Sequence, residues 1–306
     1  MKYHGYELTG ELRTCAACAL FKARARPLAK VTKLIAHKPG ERIYMDTKGP
    51  FPATLAGHMY WIKFKDQYSG MSWNAFTRRK HELADALTTR LARFKNKGIM
   101  VNFLRCDNAG EHQQYVQTIC QQYGVKLEQV APNTPQHNGV VERQFATEWS
   151  RANAMMEAAD LTTPMRNRLR AEAIETATLL YNTSCNEADK SPYEKMFDIK
   201  PSLNPTNMVQ FGRLAYVTDR SKIRRKTDPK AYKCIFVGYA LNHSPNTYKL
   251  YNPVTSRIIL SRDVKWGIWD DVDPKRSINV HRRQVVDQLL RRPVLSAAQK
   301  QALNYL

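Results

Sequence analysis

From Arg42 onward, short β-type runs and longer α-type periodicities follow one another in a regular order. Arg42-Ile-Tyr-Met-Asp46 is a short strand that stops at the turn signal Lys48-Gly-Pro. His58–Asp66 and Met71–Phe76 are aromatic-rich strands joined by a turn at Ser69-Gly70. Leu83, Leu87, Leu91 and Phe94 then recur at helical spacing, and the helix is expected to stop near Gly98. Ile99–Cys106 reads as an apolar strand running into Asp107, Glu111–Tyr123 as a helix closed by Gly124, and Val125–Val130 as a further strand. Ala131-Pro-Asn-Thr-Pro-Gln-His-Asn-Gly139 is a loop. A long helix follows, with Val141, Phe145, Ala152 and Met156 on one side, and another after Pro164, marked by Leu169, Ala173, Ala177 and Leu180.

Three strands, helix, strand, helix, strand and then helices predict an α/β mixed sheet flanked by helices, of the ribonuclease-H-like kind. From Gln210 the texture changes to the short strands Leu214–Val217, Lys233–Val237, Thr247–Tyr251 and Arg257–Leu260, with turns at Gly238, Asn252-Pro253 and Ser261. Strands this short and closely spaced predict a small all-β barrel. At 306 residues the chain exceeds the ~250 that one core usually serves. The expected division is a head at 1–38, a sheet domain at 39–184, a linker at 185–208, a barrel at 209–268 and a charged tail at 269–306.

Charge narrows the functional classes. With 48 Lys+Arg against 27 Asp+Glu the formal net charge is +21, which favours a polyanionic partner through phosphate neutralisation and counterion release. Hydrophobic residues make up 43% of the chain, enough for folded cores. The first residues contain no apolar signal segment, and no apolar run approaches the ~20 residues a membrane span needs. Six cysteines are too sparse for a secreted disulfide framework. A soluble intracellular protein with no membrane partner is expected.

Three acids stand where a mixed sheet can bring side chains together. Asp46 ends the first strand, Asp107 ends the fourth, and Glu142 lies in the first turn of the long helix. Taken singly, each has an ordinary explanation: a turn residue, or a partner for the helix dipole. Together, three converging carboxylates would repel one another unless they shared hard cations such as Mg²⁺ or Mn²⁺. Two such ions ~3.5–4 Å apart serve phosphodiester chemistry.

The motifs carry a family resemblance. Cys106-Asp-Asn-Ala-Gly-Glu-His112 and Pro132-Asn-Thr-Pro-Gln-His-Asn-Gly-Val-Val-Glu-Arg143 resemble retroviral-type integrases, in particular those of copia-type LTR retrotransposons. The 35 positions from 107 to 142 (142 − 107) are close to that family's gap between second and third acids. Ile43–Pro50 and Lys63–Ser69 resemble its first two strands. Phe211–Val217, Asp228–Tyr239 and Ile259–Val264 resemble its copia-specific C-terminal segment.

The resemblance implies a fragment of a Gag-Pol polyprotein that inserts element cDNA into target DNA. Asp46, Asp107 and Glu142 would hold the metals, with Asp66 the rival for the first acid. Gln136, His137 and Asn138 would lie close to the DNA ends, Asn108 would steady the site beside the DNA, and Gly139 would allow a tight turn; the helix of Glu142 also offers Arg143 as a DNA contact. His112 and His137 are conceivable general bases, but metal-activated oxygen needs none. The implied partners are double-stranded DNA, as element cDNA ends and as target, and further copies of the chain. The implied location is the nucleus when acting and the cytoplasm during synthesis and particle assembly.

Cys15-Ala-Ala-Cys18 has the pair spacing of a zinc site, but the family supplies two upstream histidines and only His4 precedes it here. Zn²⁺ is therefore expected only with a completed site, and a redox pair is the alternative reading. Cys106, Cys120, Cys185 and Cys234 are expected to be buried or inert. The basic cluster with Lys222, Arg224, Arg225 and Lys226 reads either as a phosphate grip or as a solvated hairpin or nuclear-import signal. Two rival functions stay open: a catalytically inactive DNA-binding relic of an integrase, and a plain ribonuclease-H-like nuclease.

Overall fold

The structure is a computed structural model. It describes residues 2–3, 6–7, 35–106, 113–129, 139–185, 190–201, 208–219, 227, 229–240, 242–244 and 246–267, with the backbone alone at 2–3, 6–7, 113 and 129. Two compact units divide the chain, residues 1–34 and 35–306. In the first, β1 (Lys2–Tyr3) and β2 (Tyr6–Glu7) form a short antiparallel pair.

The second unit holds two sheets. The first comprises β3 (Arg42–Lys48), β4 (Tyr60–Asp66), β5 (Ser72–Thr77), β6 (Phe103–Cys106) and β7 (Lys126–Gln129) in the order β5-β4-β3-β6-β7. β3 pairs antiparallel with β4 and parallel with β6, β4 antiparallel with β5, and β6 parallel with β7. This is the ribonuclease-H-like mixed sheet that the pattern predicts. Its helices are α1 (Leu83–Asn96), α2 (Gln113–Gln122), α3 (Gly139–Ala158) and α4 (Thr163–Thr183).

Alternation along β3 sorts its side chains between two layers. Ile43 and Met45 join Ile62, Phe64 and Leu104 in a core closed by Leu87, Leu91 and Phe94 of α1 and Val116 and Cys120 of α2. Tyr44 points the other way, into a core with Trp61, with Val141, Phe145, Ala152 and Met156 of α3, and with Leu169, Ala173 and Ala177 of α4. Each fully buried Val, Leu, Ile, Phe or Met among them contributes about 1.5–3 kcal/mol. α1 ends where Gly98 (φ +71°) sends its amide to the Lys95 carbonyl and Ile99 sends its own to Phe94. The expected strand Ile99–Cys106 is therefore shorter, because Ile99 still closes the helix and the ladder starts at Phe103. The stretch expected as a linker carries a further helix, α5 (Pro192–Phe197), started by a capping box between Ser191 and Glu194.

The second sheet runs β11-β10-β9-β8-β12 and is antiparallel throughout: β8 Leu214–Thr218, β9 Ala231–Tyr239, β10 Tyr248–Asn252, β11 Arg257–Ser261 and β12 Val264–Trp266. The consecutive strands β11 and β12 lie on opposite edges, and only residues 262 and 263 join them. Four strand spacings would put flat edges ~19 Å apart, whereas three Cα steps reach at most ~11 Å. The sheet therefore curls into a barrel, and Trp266 of β12 packs edge-on against Tyr248 of β10 at 5.0 Å. Its core is Ala215, Val217, Cys234, Phe236 and Leu250. β12 was not anticipated from sequence; three residues carry too little periodicity.

The barrel rests on the helices of the sheet domain. Ile235, Val237 and Tyr251 belong to the same apolar cluster as Phe145, Leu169 and Ile174. α4 touches both sheets, which is why it is buried on so many sides.

Candidate active site at the end of the central strand

Asp46 occupies the half-buried position two residues after Tyr44, so it shares the α3 side of the sheet. Lys48, two residues further, places its ammonium 4.8 Å over the Phe145 ring of α3. One Asp46 carboxylate oxygen, Oδ1, accepts the Thr47 amide at 2.7 Å. Asp66, the rival acid, is fully buried, and its carboxylate accepts the amides of Gly40 (2.9 Å) and Ser69 (2.7 Å) and the Ser69 hydroxyl (2.7 Å). Those bonds shape the β4–β5 turn, and burial raises its pKa. Asp66 is thus held within the turn, and Asp46 is the acid on the α3 side of the sheet.

Glu142 is exposed in the first turn of α3, beside the fully buried Val141. At ~100° per residue it stands on the same flank as Trp149, two turns on. Trp149 stacks on Phe51, just past the end of β3, at 5.4 Å and on Trp61 at 6.2 Å. Glu142 is therefore carried by the helix that packs on the face of the sheet to which Asp46 belongs. Arg143 is exposed, and its Nε donates to the Gly139 carbonyl at 3.2 Å.

The ladder supplies one more relation. Met45 and Cys106 are partners across the parallel β3–β6 pair, and each immediately precedes an acid in the sequence, Asp46 and Asp107. Asp107, Asn108, Gln136, His137, Asn138, Lys222, Arg224, Arg225, Lys226, Cys15 and Cys18 lie outside the described residues, as does His112. Among the described residues, no three His, Cys, Asp or Glu side chains gather as a metal site requires, and no helix is long and apolar enough to cross a membrane. Cys106, Cys120 and Cys234 are buried, and burial pushes the Cys120 and Cys234 thiols up to about 11 and about 12. Cys185 is exposed.

Beside Asp46 lies a polar cluster that the sequence reading missed. Lys63, the cross-strand partner of Asp46, is fully buried and pairs with the equally buried Glu148 of α3. Glu148 also accepts from the Ser72 hydroxyl (2.7 Å), the Gln144 amide (2.7 Å) and the Thr178 hydroxyl of α4. Asn74 accepts from Lys63 (2.5 Å) and from the Trp61 indole (2.9 Å), and Lys65 donates to Gln144 at 2.7 Å. Burial pulls both lysines down to about 8, with Glu148 opposing the fall. The signal was present in the sequence. Glu148 falls at helical spacing between Phe145 and Ala152, inside the apolar stripe, and Lys63 and Lys65 alternate with Ile62 and Phe64.

Fold and site together describe a mixed α/β sheet followed by a small antiparallel barrel. Residues 213–275 match the family described as retroviral polymerase SH3-like domain. Similar proteins include the "Retrovirus-related Pol polyprotein from transposon TNT 1-94" of Nicotiana tabacum, 28% identical over 225 residues (72% of this chain and 16% of the relative). Those from transposons RE2 and RE1 of Arabidopsis thaliana are 25% identical over 259 residues (84% and 17%) and 24% over 254 residues (83% and 17%). The chain thus spans about a sixth of the length of these relatives. A chain of the simian T-cell lymphotropic virus intasome in complex with PP2A regulatory subunit B56 gamma aligns with a TM-score of 0.47 and 14% identity, over 84% of this chain and 88% of that one. The relationship to retrotransposon Pol polyproteins expected from the motifs is borne out by these sequence matches.

Proposed function

We propose that this chain is the integrase portion of a retrotransposon Pol polyprotein, joining element cDNA to target DNA by phosphodiester strand transfer. The observation that carries the reading is the pairing of Met45 with Cys106. Two of the three acids each follow a residue of that pair, and the third rides on the helix covering the same side of the sheet. The donor set, carboxylate oxygens alone, suits Mg²⁺ or Mn²⁺. Asp46, Asp107 and Glu142 would hold the ions, which supply charge stabilisation to the attacking and leaving oxygens of an in-line displacement.

The chain's own residues contribute placement. β3 fixes Asp46, and α3 presents Glu142 and Arg143 to solvent, where a DNA backbone can reach them. Asn108, Gln136, His137, Asn138 and the Lys222–Lys226 cluster are proposed to contact DNA, without base readout in the case of the cluster. The +21 charge supports this partner. Assembly of several copies on DNA ends in the nucleus, and zinc at Cys15 and Cys18 once two histidines complete the site, belong to the same proposal.

The test is strand transfer of element-end oligonucleotides into plasmid DNA with Mg²⁺. Asp46→Asn, Asp107→Asn and Glu142→Gln should each abolish joining while melting temperature and DNA gel shifts hold. DNA binding without joining would favour the non-catalytic relic. Cleavage confined to RNA–DNA hybrids would favour the plain nuclease.

A further inference from the structure

We infer that the buried Lys63–Glu148 pair is a positioning device that fixes the rotation and axial register of α3, and with them the placement of Glu142 relative to Asp46. This rests on the integrase reading above. Two observations carry it. Lys63 is the cross-strand partner of Asp46, so the cation of the pair is anchored at the strand position of the first acid. Glu148 is on the helix of Glu142, six residues on, so its fixation is transmitted through ~9 Å of rigid backbone.

Apart from the Lys65–Gln144 hydrogen bond, the other contacts of α3 with the sheet are largely apolar. Phe145 meets Trp61 edge-on at 4.5 Å, and Trp149 stacks on Phe51 and Trp61. Aromatic and aliphatic surfaces are non-directional and tolerate small slides. The Glu148 carboxylate tolerates none, because it accepts from β4 (Lys63), β5 (Ser72), α4 (Thr178) and its own helix (Gln144) at once. Moving the helix by one residue would turn Glu148 through ~100° and leave a buried carboxylate and a buried ammonium without partners. Buried ionic pairs add little net stability but can specify register. Here the register specified is that of an acid-bearing helix against an acid-bearing strand. Lys63 and Glu148 touch neither metal nor DNA in this role; they act through Asp46 and Glu142.

The test uses the full chain with Glu148→Gln, which keeps shape but removes the charge, and with the double variant Lys63→Met/Glu148→Leu, which replaces the pair by apolar side chains. Two readouts are taken: amide hydrogen exchange across residues 139–158, and the Mg²⁺ concentration for half-maximal strand transfer. The double variant should melt cooperatively, exchange about tenfold faster over residues 139–146 than wild type, and need roughly 10-fold more Mg²⁺, as when outer-shell supports of a metal site are removed. Wild-type exchange and wild-type Mg²⁺ dependence in the double variant would overturn the inference. If that variant does not fold, Glu148→Gln decides on the same two readouts. A wild-type chain that joins no DNA would sink the integrase reading, while exchange over residues 139–146 would still judge the pin.

Discussion

The hydroxyl of Thr176 on α4 donates to the carbonyl of Val237 on β9 at 3.2 Å, with both residues buried. Val237 is the residue skipped when β9 pairs with β10, since Lys249 opposes Gly238 and Leu250 opposes Phe236. A bulge leaves its extra residue outside the ladder, and here a helix of the neighbouring domain takes up the carbonyl. Thr176→Val should therefore cost about 1–3 kcal/mol by leaving that carbonyl unsatisfied. Thr176→Ser, which keeps the hydroxyl, should lose clearly less in urea unfolding. Equal losses would mean that packing alone holds the joint.

Gly212 presses on the end of α3. Its φ is +87°, and a Cβ built there would stand 2.3 Å from the Cβ of Ala159. Gly212→Ala should destabilise by about 1–3 kcal/mol from crowding, with a further cost of ~1–2 kcal/mol for the left-handed backbone. Adding Ala159→Gly should restore the crowding part and leave the backbone part. Denaturant midpoints of the single and double variants measure the split, and no recovery in the double would refute the contact.

Glu172 on α4 has a buried Oε2 with no hydrogen-bond partner, and burial, reinforced by Glu175, raises its pKa. A carboxyl whose folded pKa lies above its unfolded value binds protons more readily when folded. Its destabilising cost is therefore absent below the unfolded value of 4.5 and grows as pH rises through the folded pKa. Glu172→Gln should stabilise the chain at pH 7 by on the order of 1 kcal/mol, and the gain should fade by pH 4. Urea midpoints across that range decide it; a gain that is constant with pH would contradict the charge argument.

Arg143 is exposed beside Glu142. If it meets a phosphate, Arg143→Ala should weaken DNA binding uniformly across sequences and reduce the slope of log K against log salt by about 0.9. A slope equal to wild type would place DNA elsewhere.

The order of elements was legible because each long helix carries one periodic face: Leu83, Leu87, Leu91 and Phe94 are all buried on α1. Strand limits were less so. Ile99 and Val101 pack against the core without joining a ladder, so apolar character alone overextended β6. Met196 of α5 is buried, although an Asn- and Pro-rich surrounding sequence masks the Ser191–Glu194 capping signal. At the site, Asp46 and Glu142 stood out by their positions and motif context. Lys63 and Glu148 did not, because a charge inside an apolar stripe has meaning only once its partner, 85 residues away, is known.

The two-residue link between Ser261 and Val264 has a consequence for recognition. By drawing β11 and β12 toward a common seam, it denies a foreign strand the long unpaired rim that strand addition requires. A partner of this module would then meet mainly outward side chains and loops rather than a long run of free backbone.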